Sequence, residues 1–257
     1  PILHLERPEN FSAEQQNNSL SLLNKLNRHG YTDYAHDTEL QARNRSYELA
    51  SRIEVAAPEA VDISKETDAT KALYGLNDEV SKGYGANLLR ARRLVERGVR
   101  FIQVISWELD IRGENRNWDA HNSLDENHGK HARAVDKPIA GLLEDLKARG
   151  LLDSTLIVWT SEFGRTSYGQ SGNGRDHNPW GYTQWLAGGG IKAGSTYGET
   201  DEVGLRAVGE NVVGTYDLHA TVLHLLGLNH LKTTFLQTGR SERPTVVYGK
   251  VVKELLA

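Results

Sequence analysis

One apolar run near the middle of the chain restricts the fold more than any other feature. Leu156 to Trp159 are apolar without alternation, which is typical of a strand covered on both faces in a parallel sheet. The β-branched Thr155 and Thr160 suit the same pleated conformation. Glu162 follows directly, and ligands bind beyond the carboxyl ends of strands in open α/β sheets. Glu162 is therefore the first candidate functional residue, although an ordinary polar turn after a strand has the same composition.

The segments before this run predict a strand-helix-strand unit. Residues 99–105 are rich in β-branched residues, 125–149 repeat apolar residues at helical spacing, and 155–160 follow at once. Such a unit places its two strands parallel in one sheet. Further strands are predicted at 182–187 and 245–248, so the sequence predicts an α/β fold with a mostly parallel sheet. Helices are predicted at 12–29, with capping-box spacing of Ser12 and Gln15, and at 38–55, 83–97, 216–226 and 250–256.

The composition excludes several classes of function. Of the 257 residues, 38% are hydrophobic and 25% are charged, and the net charge of -4 offers no basic surface to nucleic acid. No apolar run reaches the length of a membrane span. The chain has no cysteine, so disulfides, thiolate ligands and a cysteine nucleophile are excluded. Four arginines between residues 90 and 97 are interpreted as a solvated helix face.

The beginning of the chain indicates a fragment. The chain starts at Pro1 with no signal peptide and contains no methionine, so we expect a longer protein with any targeting segment upstream. Residues 1–77 are predicted to be a helical segment that packs on a main domain formed by residues 78–257.

Carboxylates and imidazoles occur in the loops that follow the predicted strands. The candidates are Asp119 and His121 after the first strand, Glu162 after the second, and Asp176 and His177 in the next loop. This set suits zinc or manganese, or calcium or magnesium where oxygen ligands dominate. Arg165 and Arg175 lie beside them, and arginine forks match the oxygens of phosphate or sulfate. Each residue type is also common on polar surface loops.

Two other kinds of active site lack their sequence signals. A Ser-His-Asp hydrolase would need a nucleophile turn such as Gly-x-Ser-x-Gly, and the nearest segment, 169–172, is Gly-Gln-Ser-Gly. A dinucleotide fold would need Gly-x-Gly-x-x-Gly at the start of a helix, and the chain has none.

Longer motifs carry a family resemblance. They lie at residues 92–101, 118–121, 145–153, 162–165, 174–177, 186–190 and 217–221. Together they resemble the bacterial domain of unknown function 1501 family, over most of the chain from about Glu39 onward. That family resembles the alkaline phosphatase and sulfatase superfamily. The resemblance implies an α/β sandwich, a mostly parallel sheet flanked by helices on both faces, with its N-terminal part missing here.

The same resemblance implies roles for individual residues. Glu162 stands where the superfamily has a metal-binding Asp, and His177 is similar to its late metal-binding histidine. Asp119 and His121 are similar to its Asp and His after the preceding strand. Phe163 departs from the pattern, because His or Asn is usual there and Phe cannot bind metal. The superfamily's nucleophile and first metal-binding Asp are expected upstream of this chain.

Residues and resemblance together predict a metal-dependent hydrolase of phosphate or sulfate esters, of which this chain holds part of the site. Arg165 and Arg175 would hold the oxyanion of a small anionic ester, and Asp176 would bind metal or orient His177. Relatives with twin-arginine signals imply a periplasmic or exported protein. The alternative is a non-catalytic exported binding or scaffold protein that keeps the fold, as Phe163 suggests. Secondary candidates are His128, His131 and His219, of which His219 lies on a helix with apolar neighbours and is interpreted as structural.

Overall fold

The computed structural model describes residues 9–30, 38–106, 117–170 and 172–257. The chain divides into two compact units, Pro1–Lys65 and Glu66–Ala257. The described part of the first unit contains the helices α1 (Ala13–Gly30) and α2 (Thr38–Val61). The helices in the described part of the chain are too short or too polar to cross a membrane.

Helix α1 begins as the sequence predicts. Ser12 Oγ accepts a hydrogen bond from the Gln15 backbone N–H at 3.1 Å, and the Ser12 N–H donates to Gln15 Oε1 at 2.8 Å. This reciprocal pair is a capping box, which satisfies backbone donors at a helix start.

The second unit contains the remaining elements. They are α3 (Asp68–Leu73), α4 (Lys82–Glu96), α5 (Leu124–Ala148), α6 (Thr215–Leu225), two 3₁₀ turns (Leu152–Ser154 and Lys253–Leu255), and the strands β1 (Ile157–Trp159), β2 (Gly164–Arg165), β3 (His177–Asn178), β4 (Trp185–Ala187), β5 (Glu199–Thr200), β6 (Ala207–Val208), β7 (Phe235–Gln237) and β8 (Arg240–Glu242). The helices predicted at 83–97, 125–149 and 216–226 are confirmed by α4, α5 and α6. The helix predicted at 250–256 is wrong, because only a 3₁₀ turn forms there.

The predicted α/β sandwich with a mostly parallel sheet is wrong. In the described residues the strands form two-stranded antiparallel pairs: β1–β4, β2–β3, β5–β6 and β7–β8. Val158 in β1 pairs with Leu186 in β4, and the rings of Trp159 and Trp185 stack beside them at 6.3 Å. An apolar run indicates burial, but it does not specify the direction of the neighbouring strand. The sequence therefore predicted β1 and assigned it the wrong partner.

Two other predicted strands do not form. Residues 101–106 are described without any strand, and 245–248 belong mostly to a turn. Phe101 and Ile105 are exposed. Without a strand at 99–105 there is no strand-helix-strand unit, and the basis for a parallel sheet disappears.

The core of the second unit lies between α4 and α5. Leu88 and Leu89 of α4 and Leu142 and Leu146 of α5 are buried. The end of α3 packs closely on both helices, because a Cβ added at Gly85 would lie 2.0 Å from the Tyr74 carbonyl oxygen and one at Gly141 would lie 2.4 Å from that of Leu73. Glycine is therefore required at both contacts.

A buried charge network joins these helices. Arg92 is only 2% exposed and forms ion pairs with Glu66 at 2.8 Å, Glu96 at 2.7 Å and Asp145 at 3.0 Å. The hydroxyl of the buried Tyr74 donates to Asp145 Oδ2 at 3.0 Å. The interpretation of the arginine run as a solvated face is therefore wrong for Arg92.

Candidate metal centre

Three metal-ligating atoms meet at one point on the surface. Asp119 Oδ1 lies 3.0 Å from His121 Nε2 and 2.9 Å from His177 Nε2, and the two imidazole nitrogens are 3.2 Å apart. All three side chains are 40–46% exposed. Within the described residues, Asp119, His121 and His177 form a group of three side chains whose ligand atoms lie within 4.8 Å of one another. These atoms are close enough to share one ion.

The loop that provides the first two ligands is fixed on the start of α5. Asn127 Nδ2 donates to the Asn117 carbonyl oxygen at 2.8 Å, and His128 Nε2 donates to that of Trp118 at 3.1 Å. The Trp118 ring also packs against the rings of His128 and the buried His131. These contacts attach the loop to α5 through two backbone carbonyl groups and through the Trp118 side chain.

His177 comes from the short hairpin β2–β3, where it pairs with Arg165. The neighbouring Asn178 is buried, and its Nδ2 donates to the Leu205 carbonyl oxygen at 2.9 Å. The Phe163 ring stacks on the His177 imidazole with centroids 4.1 Å apart. Phe163 thus cannot bind metal, but it supports the orientation of a residue that can.

Gly174 joins the hairpin to the loop. A Cβ at this position would lie 1.8 Å from the carbonyl oxygen of His121, so the close approach requires glycine. On either side, the Arg175 N–H donates to the Ala120 carbonyl oxygen at 3.1 Å, and Asn173 Oδ1 accepts from the Ser123 N–H at 2.9 Å. This backbone docking brings His177 to the ligands of the loop.

Arg165 completes the surroundings of Asp119. Its Nη2 donates to Asp119 Oδ1 at 2.7 Å. Hydrogen bonds from His177 and Arg165 lower the pKa of Asp119 to about 2, because both donors stabilise the carboxylate. Asp119 is therefore ionised at neutral pH, as metal binding requires.

The predicted ligands Glu162 and Asp176 do not belong to this group of ligand atoms. Glu162 is exposed and accepts from Ser161 Oγ at 3.0 Å. Asp176 Oδ1 accepts from the His177 backbone N–H at 2.8 Å and lies 4.0 Å from His121 Nδ1, the ring nitrogen that does not enter the cluster. Arg175 Nη1 donates to the carbonyl oxygen of Gly174 at 2.8 Å.

Sequence reasoning missed Gln170. Its Oε1 lies 2.7 Å from His121 Nδ1. A single glutamine in a loop rich in Gly and Ser has no motif that indicates such a contact, and the contact depends on residues 49 positions apart. Asn127 was also missed, because no sequence motif indicates that its side chain donates to the backbone carbonyl of Asn117.

The residues present fit a divalent transition ion. Zinc bonds of about 2.0–2.1 Å in a tetrahedron place ligand atoms about 3.3 Å apart, and the observed separations are 2.9–3.2 Å. Two imidazole nitrogens and one carboxylate oxygen suit zinc or manganese better than calcium or magnesium, which prefer oxygen ligands. Three protein ligands with partly exposed side chains leave room for a further ligand.

The family model described as Protein of unknown function (DUF1501) matches residues 1–256. The chain belongs to this family. The match confirms the resemblance of the sequence motifs to the DUF1501 family, and it covers almost the whole of this chain. No curated protein and no solved structure matches the chain.

Proposed function

We propose that this DUF1501 protein is a metal-dependent hydrolase of phosphate or sulfate esters, the chemistry of the alkaline phosphatase and sulfatase superfamily. The supporting observation is that the ligand atoms of Asp119, His121 and His177 meet at one point. Asp119 and His177 do so although they are 58 residues apart in the chain. Such a set of two imidazoles and one carboxylate binds catalytic metals in hydrolases. We propose zinc or manganese as the ion.

The charges of the cluster support an anionic substrate. A divalent ion together with the guanidinium groups of Arg165 and Arg175 exceeds the negative charge of Asp119, Asp176 and Glu162, so the loaded site has a positive excess. Positive groups aimed at a phosphoryl or sulfuryl centre stabilise the negative charge that develops there. This electrostatic balance favours phosphate and sulfate esters over neutral substrates.

The chain's own residues have distinct roles in this proposal. Asp119, His121 and His177 hold the ion, which polarises an ester oxygen when bound. Arg165 holds Asp119 in its ionised form, and Phe163 holds the His177 ring. Arg175 remains the proposed oxyanion residue, and Glu162 remains a proposed further ligand; both lie in the segments that surround the cluster.

One observation favours the non-catalytic alternative. Asp119 Oδ1 already accepts hydrogen bonds from the Arg165 guanidinium at 2.7 Å and from His177 Nε2 at 2.9 Å, so its negative charge is compensated without an ion. A binding or scaffold protein could retain it for structural reasons.

Metal analysis combined with turnover separates the two functions. We expect about one zinc or manganese ion per full-length protein, with chelator-sensitive hydrolysis of an aryl phosphate or an aryl sulfate. His177→Ala should lose the ion and the activity, whereas His219→Ala, on the exposed surface of α6, should keep both. Glu162→Ala tests the proposed further ligand and should reduce turnover. Absence of both bound metal and chelator-sensitive turnover would identify a scaffold.

A further inference from the structure

The two ring nitrogens of His121 have different partners. Nε2 faces the ligand cluster, whereas Nδ1 lies 2.7 Å from Gln170 Oε1. An amide oxygen only accepts hydrogen bonds, so the proton of the neutral ring must be on Nδ1 for this contact to form. The lone pair of Nε2 then points toward Asp119 and His177.

We infer that Gln170 is a positioning residue, which fixes the tautomer of His121 that binds metal through Nε2. The inference rests on the proposed metal site, and Gln170 itself would contact neither the ion nor the substrate. Histidines that bind metals usually donate their other N–H to a fixed acceptor, which sets the ring orientation and raises the basicity of the ligating nitrogen.

The contact between the two histidines supports this tautomer. His177 Nε2 lies 2.9 Å from Asp119 Oδ1 and 3.2 Å from His121 Nε2. A proton on His177 Nε2 can be shared between Asp119 Oδ1 and His121 Nε2 only if His121 Nε2 has a free lone pair. The two contacts of His177 Nε2 are therefore consistent with a proton on His121 Nδ1.

Gln170 is held in register with His121 by the backbone. Its N–H donates to the Gly174 carbonyl oxygen at 2.9 Å, and the Gly174 N–H donates back to the Gln170 carbonyl oxygen at 3.1 Å. Gly174 in turn packs against the His121 backbone. The same glycine thus docks the hairpin and sets the position of the amide.

Asp176 Oδ1 is a competing acceptor, but it lies 4.0 Å from His121 Nδ1, beyond hydrogen-bond distance. Without Gln170, His121 has a strong alternative. Its Nε2 lies 3.0 Å from Asp119 Oδ1, and a proton on Nε2 would form a charge-assisted hydrogen bond there. That tautomer would remove the lone pair needed for metal binding.

The tautomer can be measured without metal. Long-range ¹H–¹⁵N NMR spectra of the labelled, metal-free full-length protein, recorded above the ordinary imidazole pKa of about 6.5, show which nitrogen of His121 is protonated. We expect Nδ1–H in the wild type and in Gln170→Glu, which keeps an acceptor, and a shift to Nε2–H in Gln170→Leu. Gln237→Leu, on an exposed strand, is the matched control and should keep Nδ1–H.

Zinc affinity provides the second measurement. Gln170→Leu should raise the Kd about 10–100-fold, whereas Gln170→Glu and Gln237→Leu should stay close to the wild type. A wild-type His121 protonated on Nε2, or a Gln170→Leu variant with wild-type zinc affinity, would overturn the inference. The expected tautomers in the wild type and in Gln170→Leu, with no binding of zinc or manganese, would support the control of the tautomer by Gln170 and overturn the proposed function. Gln170→Glu also shows that a loss in the Leu variant does not arise from misfolding.

Discussion

Replacing Gly174 with alanine tests how the centre is assembled. The new Cβ would lie 1.8 Å from the His121 carbonyl oxygen, 2.1 Å from the His121 carbonyl carbon and 2.7 Å from the Asn122 nitrogen. These are backbone atoms, which cannot turn away as a flexible side chain can. Relief of the clash to ordinary contact therefore requires a movement of about 1.5 Å between the hairpin and the loop. We expect overpacking to lower the free energy of unfolding by about 1–3 kcal/mol.

The same movement should weaken metal binding more than it weakens the fold. Misplacement of a functional group by about 1 Å can reduce function about 100-fold, so we expect a comparable loss of zinc affinity in Gly174→Ala. Gly129→Ala is the matched control, because its Cβ would meet nothing within 4 Å in the interior of α5. Alanine there should stabilise the protein by about 0.5–1 kcal/mol. Calorimetric zinc titration and thermal unfolding measure both quantities. If Gly174→Ala has the zinc affinity and Tm of the wild type, the docking of the hairpin on the loop is refuted.

Two further predictions concern stability. Arg92→Met removes the buried partner of Glu66 and Asp145, which keep their ion pairs with Arg93 and Arg149. The substitution should therefore lower the free energy of unfolding in urea by about 1–3 kcal/mol; an unchanged urea midpoint would contradict this. Burial, reinforced by the charge of nearby His128, lowers the pKa of His131, while a hydrogen bond to the Asn117 backbone acts in the opposite direction. The unfolded ring therefore binds a proton before the folded one, so stability should be complete above about pH 6.5 and fall as the pH drops below it. His131→Gln should flatten this part of the curve, and a wild-type curve that is already flat there would refute the assignment.

Helices were predicted well because their signal is local. The apolar repeat from Val135 to Leu146 lies on one side of a helix whatever the rest of the chain does, and α5 buries that side. The capping box of α1 also depends only on residues three apart. In the same way, the sequence indicated the types of residue in the candidate centre, since carboxylates and imidazoles in polar loops are visible without a fold.

The geometry of the centre depended on contacts between distant residues. The sequence predicted that the site residues would meet at one edge of a parallel sheet. That arrangement would have brought Glu162 to the other ligands. The structure instead docks an antiparallel hairpin on the loop before α5, and this brings His177 to Asp119 and His121.

Sequence alone determined the helices α1, α4, α5 and α6, the residue types of the candidate site and the family to which the chain belongs. The tertiary structure decided the direction in which β1 pairs, the burial of Arg92, the meeting of His177 with Asp119 and His121, and the roles of Gly174 and Gln170. The physical reason is the range of the interactions. Helical periodicity and caps arise between residues three or four positions apart, whereas strand partners and ligand clusters join residues tens of positions apart and depend on the path of the whole chain.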